Sequence, residues 1–197
     1  MIDGTNRVPF DEQLRVLADC GITVSASTKP EYLAGLSSGK DFEDEPYSLL
    51  LCVMGDEAED QSQSELSGYL SDNIWHFDTE CIEDHGAYAA IADRMVALAQ
   101  GDFPLQDIED YVDVEEGDAW LSFTLDGRPY KWHARVDDDW VDPAIVSRLA
   151  GLLAGRNVGK RFTDIDLGGQ DCLIGCATPE QRACLESRTG LKVEWLT

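Results

Sequence analysis

AWLSFTLDGRPYKWHARV, residues 119–136, is the stretch whose reading decides the fold. Its two halves, 119–125 and 130–136, carry aromatic and β-branched residues of the kind that fit a pleated, half-buried surface. They flank Asp126-Gly127-Arg128-Pro129, a turn signal, because glycine accepts the positive φ that a tight hairpin turn requires. The expectation is an antiparallel hairpin in which Trp120 and Trp132 pack as a cross-strand or same-face pair.

Working outward, residues 108–114 alternate as a strand should. Ile108, Asp110, Val112 and Val114 lie on one side, and Glu109, Tyr111 and Asp113 on the other. Downstream, two segments open as capped helices: Asp142-Pro143 before AIVSRLAGLLAG, and Thr178-Pro179-Glu180-Gln181 before the run that ends at Thr189-Gly190. Between them lie two strand candidates, 161–167 and 171–176, joined by a turn at Gly168-Gly169, and residues 191–196 read as a last strand.

Upstream, FDEQLRVLADCG puts Phe10, Leu14, Leu17 and Ala18 on one helical face and stops at Gly21. Residues 22–27 are expected as a strand, 30–36 as a short helix and 41–46 as an acidic linker. YSLLLCVM, residues 47–54, is apolar on both sides and reads as a central strand. Residues 73–77 form a further strand candidate. Residues 87–99 form a helix with Ile91, Met95 and Leu98 inward and with Asp84, His85 and Gly86 at its entry, where negative charge suits the positive helix end. Strands and helices do not alternate strictly. The expectation is therefore an α+β fold, with a mixed or mainly antiparallel sheet and helices packed on one face. It is read as one domain over residues 1–197 with an acidic loop insertion at 55–72.

Charge is the outstanding feature of the composition. The chain holds 39 acidic and 15 basic residues, a formal net charge of −24. Residues 41–127 hold 24 acidic residues and a single basic one, Arg94, while residues 128–197 hold ten of each. A surface of this sign repels phosphates, so nucleic acids and anionic membranes are not expected as partners. It attracts basic proteins and speeds their encounter. The expected contact residues are Asp56, Glu57, Glu59, Asp60, Glu80, Glu83 and Asp84, with Tyr69 and Trp75 as an apolar centre.

No run is apolar for the ~20 residues a membrane span needs. The opening MIDGTNRVPFDEQ lacks a basic-then-apolar layout, which gives a cytoplasmic address as the expectation. The six cysteines, Cys20, Cys52, Cys81, Cys172, Cys176 and Cys184, match no zinc spacing and are read as reduced, buried thiols.

WHFDTECIEDHG, residues 75–86, is the densest cluster of chemistry-bearing side chains. His76, Asp78, Cys81 and His85 are competent zinc ligands, so a metal-dependent enzyme is the alternative to a binding protein. The other reading of the stretch is a helix cap and a solvated acidic rim. Glu80, Glu83, Asp84, Asp110 and Asp113 could supply a carboxylate pair for hydrolysis, but acidic residues are so abundant that some pair is always available. Cys172 follows a Gly-Gly turn without a nearby histidine, and Asp137–Trp140 lacks the glycine of a calcium loop. No motif for an organic cofactor or a catalytic residue is present, and the oligomeric state is left open.

The runs AWLSFTLDGRPYKW, DDDWVDPAIVSRL and DLGGQDCLIGCATPEQRACLESRTGLKVEWL resemble small acidic bacterial immunity proteins of polymorphic-toxin and contact-dependent systems. The resemblance covers about the last half of the chain and lies in size, acidity and tryptophan-rich α+β patterning. It carries no residue roles. It implies a stoichiometric inhibitor that blocks a toxin.

Overall fold

The computed structural model describes residues 7–26, 28, 30–36, 39–57 and 68–197. It is an α+β protein in which the chain divides into two compact units. The first comprises Met1–Phe77 and Thr163–Glu194, the second Asp78–Phe162 and Trp195–Thr197. Among the described residues, no helix is long and apolar enough to cross a membrane.

The first unit begins with helices α1 (Phe10–Asp19), α2 (Pro30–Leu36), α3 (Gly39–Asp44) and α4 (Ser48–Gly55). Its sheet has the order β1-β6-β5-β7, from β1 (Ile74–Asp78), β6 (Asp171–Ala177), β5 (Arg161–Asp166) and the short β7 (Glu194–Trp195). Helix α7 (Pro179–Thr189) starts at the expected Thr178 cap, which with Gln181 forms a reciprocal capping box. The core gathers Leu17, Leu33, Phe42, Leu50, Leu51, Met54, Ile74 and Leu173, all fully or almost fully buried.

Three local expectations are corrected here. YSLLLCVM is helical, not a strand. A continuous apolar run has no period of its own, and this one is Leu-rich with one β-branched residue, Val53, so a buried helix accommodates it. Leu50, Leu51 and Met54 are its fully buried residues, while Leu49, Cys52 and Val53 are half-buried. Residues 22–25 join no sheet; Ser25 N–H instead donates to Leu70 O. The acidic stretch after Gly39 is helix α3 rather than a linker. Its end is held by a buried side chain: Gln13 Nε2 donates to Val8 O and Phe42 O, and its Oε1 accepts from Tyr47 N–H. Gln13 thus meets its bonding needs while fully buried.

A disulfide joins Cys20, at the end of α1, to Cys184 on α7. This corrects the reading of all six cysteines as reduced; Cys52, Cys81, Cys172 and Cys176 remain free thiols. The spacing of 164 residues carries no local signal of pairing.

The second unit holds an antiparallel sheet of order β2-β3-β4, formed by β2 (Leu105–Asp113), β3 (Asp118–Leu125) and β4 (Arg128–Ala134). The hairpin turn is Asp126-Gly127, with φ of 52° and 75°, the positive pair that a type I′ turn needs. Strand β2 is interrupted between Gln106 and Glu109, where Asp107 has φ 51°. Helix α5 (Ala87–Leu98) packs against β2 and β3, and α6 (Pro143–Gly155) against β4. Ala119, Leu121, Phe123 and Leu125 are buried on the covered side of β3.

Candidate functional site

The hairpin register separates the two tryptophans. Leu121 pairs with Trp132, and Trp132 meets Phe123 edge-on at 5.0 Å between ring centroids, so Trp132 belongs to the covered face. Trp120 pairs with His133 on one side and Tyr111 on the other, which puts it on the opposite, open face. Residues i and i+2 of a strand share a face, so beyond the interruption in β2 the open face of β2 and β3 is a ladder of three pairs. They are Glu109 with Ser122, Tyr111 with Trp120, and Asp113 with Asp118.

These side chains form a continuous row. His85 lies 4.7 Å from Tyr111, and Tyr111 is stacked on Trp120 at 6.2 Å with 12° between ring planes. Lys131 Nζ stands 3.5 Å from the centre of the Trp120 ring. The row ends at the β2–β3 turn, where Asp113, Glu115, Glu116 and Asp118 fall within six residues. Glu116 N–H donates to Asp113 Oδ1, and the Tyr111 hydroxyl donates to Asp113 Oδ2 at 3.4 Å. The turn's field is felt at the tyrosine. The Asp113 charge first, with desolvation and then Asp118 and Glu116 adding, holds the Tyr111 phenol above its ordinary value.

Little cationic charge answers these carboxylates. Among the described residues, the one ion-pair partner of Asp118 is His133, at 3.8 Å. Among the described residues, no lysine or arginine bridges Glu83, Glu109, Asp113, Glu115 or Glu116. Arg156 is taken by Asp126, Lys160 by Asp102 and Arg135 by Asp137. Arg94 is 5% exposed and buried on α5, so its charge does not reach the surface. The residues of the second unit count 18 acidic against 8 basic.

The contact residues expected from the sequence fall in both units. Asp56 and Glu57 are exposed in the first unit, where with Tyr32, Leu36, Val53 and Leu70 they line an open cleft of about 640 Å³. Tyr69 is half-buried and bridges Glu57. Glu59 and Asp60 lie outside the described residues. Trp75 is 8% exposed and packed on Phe77, so it cannot be the apolar centre of an interface. Ile74, Trp75 and Phe77 of β1 are all buried, so both faces of the strand are covered at this point. In the second unit, Glu80 is half-buried and bridged to Trp140, which is 40% exposed; Glu83 and Asp84 are exposed. His85 follows Asp84 directly and ties this edge to the aromatic row.

The four candidate metal ligands take separate roles. His76 Nδ1 lies 2.7 Å from Asp56 Oδ1 and its Nε2 3.9 Å from Asp171 Oδ1, all in the first unit. Asp78 Oδ1 accepts from Glu80 N–H. Burial, then the Asp78 charge, pushes the Cys81 thiol up to about 11. His85 Nδ1 accepts from Val112 N–H. Among the described residues, no group of three or more His, Cys, Asp or Glu converges to hold a metal ion. The chain 137–141 serves as an anchor for this segment: Ile82 N–H donates to Asp139 O, and Val141 N–H to Thr79 O. Cys172 is a half-buried thiol raised to about 12 by burial and by Asp164, far from a nucleophile's range.

One acidic residue does structural work that was not foreseen. Asp110, on β2, accepts from Gly86, Tyr88 and Ala89 N–H and so caps α5. Asp84, expected in that role, bonds instead to His85 N–H. The open row was also missed as a site. Its signal was available in the alternation of Trp120, Ser122 and Thr124 against Leu121, Phe123 and Leu125. Which of the two faces a helix covers was not. No protein-family model, curated protein or solved structure matches this chain.

Proposed function

We propose that this chain is a binding protein that takes up a basic protein partner by stoichiometric contact, as an immunity protein takes up a toxin. One observation carries the reading: an open aromatic row, His85–Tyr111–Trp120, ends in a turn of four carboxylates that the chain's own cations leave largely unanswered. The aromatic rings supply desolvated contact area, and the acidic rim steers a cationic surface onto it. The negative field works against nucleic acids and anionic lipids as ligands. The Cys20–Cys184 bridge favours an oxidising compartment as the place of action, in exchange for the cytoplasmic address expected from the N-terminus.

The test is co-expression with the product of the neighbouring reading frame, followed by size exclusion and titration calorimetry. The expected result is a one-to-one complex that weakens steeply as salt shortens the Debye length from ~10 Å at 0.1 M. Replacing Glu115, Glu116 and Asp118 by their amides should weaken it about tenfold, from three exposed ion pairs at ~0.5 kcal/mol each. A salt-insensitive complex, or one indifferent to the three amides, would count against this reading.

A further inference from the structure

We infer that the open face of β2, β3 and β4 receives an arginine side chain of the partner on the Trp120 ring, in the position that Lys131 occupies in the free protein. This rests on the reading of the chain as a binder of basic proteins, and it names the chemistry of the contact.

Three features converge on a cation at this point. First, the chain already puts one there: Lys131 Nζ is 3.5 Å from the ring centre, and Lys131 bridges no carboxylate among the described residues. The face of an indole attracts cations through its ring quadrupole. Second, Asp113 and Asp118 are register partners on the same face, one step along the strands from Tyr111 and Trp120. Like charges directly opposite each other destabilise a sheet. An external cation between them relieves that repulsion, and His133, at 3.8 Å from Asp118, sits to one side. Third, the carboxylates Asp113, Asp118 and Glu116 raise the proton affinity of Tyr111, so the negative potential extends over the rings.

A guanidinium fits these features better than an ammonium. Its plane stacks on the indole while its fork of N–H donors reaches a carboxylate sideways. The step along a strand from one same-face residue to the next is about 6.6 Å, within reach of one arginine head group. Lys131, a compact charge, meets the ring alone. A second copy of this chain is disfavoured as the occupant, because two surfaces from a molecule of net charge −24 repel.

The experiment is calorimetric titration of the full chain with hexa-arginine amide and hexa-lysine amide at about 0.15 M salt, where the Debye length is ~8 Å. Three proteins are compared: wild type, Lys131→Met and Trp120→Leu, each checked for native circular dichroism. Lys131→Met should tighten hexa-arginine by about two- to fivefold, the worth of one exposed cation–π contact released from competition. Trp120→Leu should weaken it and abolish the preference for arginine over lysine. The Trp120 indole N–H resonance of the wild type should shift on adding hexa-arginine. Equal affinities in all three proteins would overturn the ring assignment while leaving the basic-partner reading intact. Absence of binding in all three would overturn both. A concentration-dependent dimer that Trp120→Leu abolishes would assign the face to a second copy and overturn the proposal.

Discussion

Breaking the Cys20–Cys184 disulfide should be the most damaging single perturbation available in the first unit. The bridge closes a loop of 164 residues between the end of α1 and α7, and Cys20 is 4% exposed within the core. In the chain-entropy model, releasing a loop of that length restores about 5 kcal/mol of disorder to the unfolded state. If the second unit stays folded when the first unfolds, residues 78–162 no longer count as free chain. The loop then shrinks to about 80 residues, and the figure falls only to about 4.5 kcal/mol because the dependence is logarithmic. With a urea m-value of about 2 kcal/mol/M, the midpoint of the first unit should drop by about 2.5 M on reduction. The assay is urea unfolding of wild type with and without reductant, beside Cys20→Ser/Cys184→Ser. Thiols must be counted in denaturant, because burial holds Cys52 and Cys81 at about 11 and Cys172 at about 12 and slows their alkylation in the native state. Four titratable thiols are expected before reduction and six after. Six thiols in the unreduced protein, or coincident urea midpoints with and without reductant, would refute the reasoning and remove the argument for an oxidising compartment.

Other perturbations test separate parts of the structure. Gly55→Ala would set a Cβ 2.3 Å from the backbone nitrogen of His76, so it should cost about 1–3 kcal/mol, exceeding the ~1 kcal/mol that alanine gains in a helix. A thermal midpoint at or above that of wild type would contradict the close approach of α4 to β1. Asp110→Ala removes the acceptor of three N–H groups at the start of α5, those of Gly86, Tyr88 and Ala89, and should cost about 2 kcal/mol, read as a lowered melting temperature of the second unit; Asp84→Ala should cost much less, since Asp84 is exposed and its side chain does not cap the helix. Asp113→Asn removes the neighbouring charge that chiefly raises the Tyr111 phenol, so the tyrosine should ionise at lower pH than in wild type, followed by its NMR ring signals. An unchanged titration would mean that the turn's charge does not reach the aromatic row.

Features that depend on a few neighbouring residues were legible without the fold. The I′ turn at Asp126-Gly127, the Asp142 cap on α6 and the Thr178–Gln181 capping box each need only backbone geometry and one or two side chains. The alternation of β3 and the acidity of the middle of the chain were equally plain, and with them the α+β class. Features set by distant segments were not. YSLLLCVM could be read as either element until the surrounding core made it a helix. Cys20 found Cys184 across 164 residues. Asp110 became a cap because β2 runs past the start of α5, and Trp120 became a half-buried platform on the open face because the helices pack on the other side of its strand. Local signals are encoded by short-range sterics and hydrogen bonds, which every copy of the motif shares. Pairings between remote segments depend on which surfaces are buried together, and that is decided only when the whole chain competes for the same space.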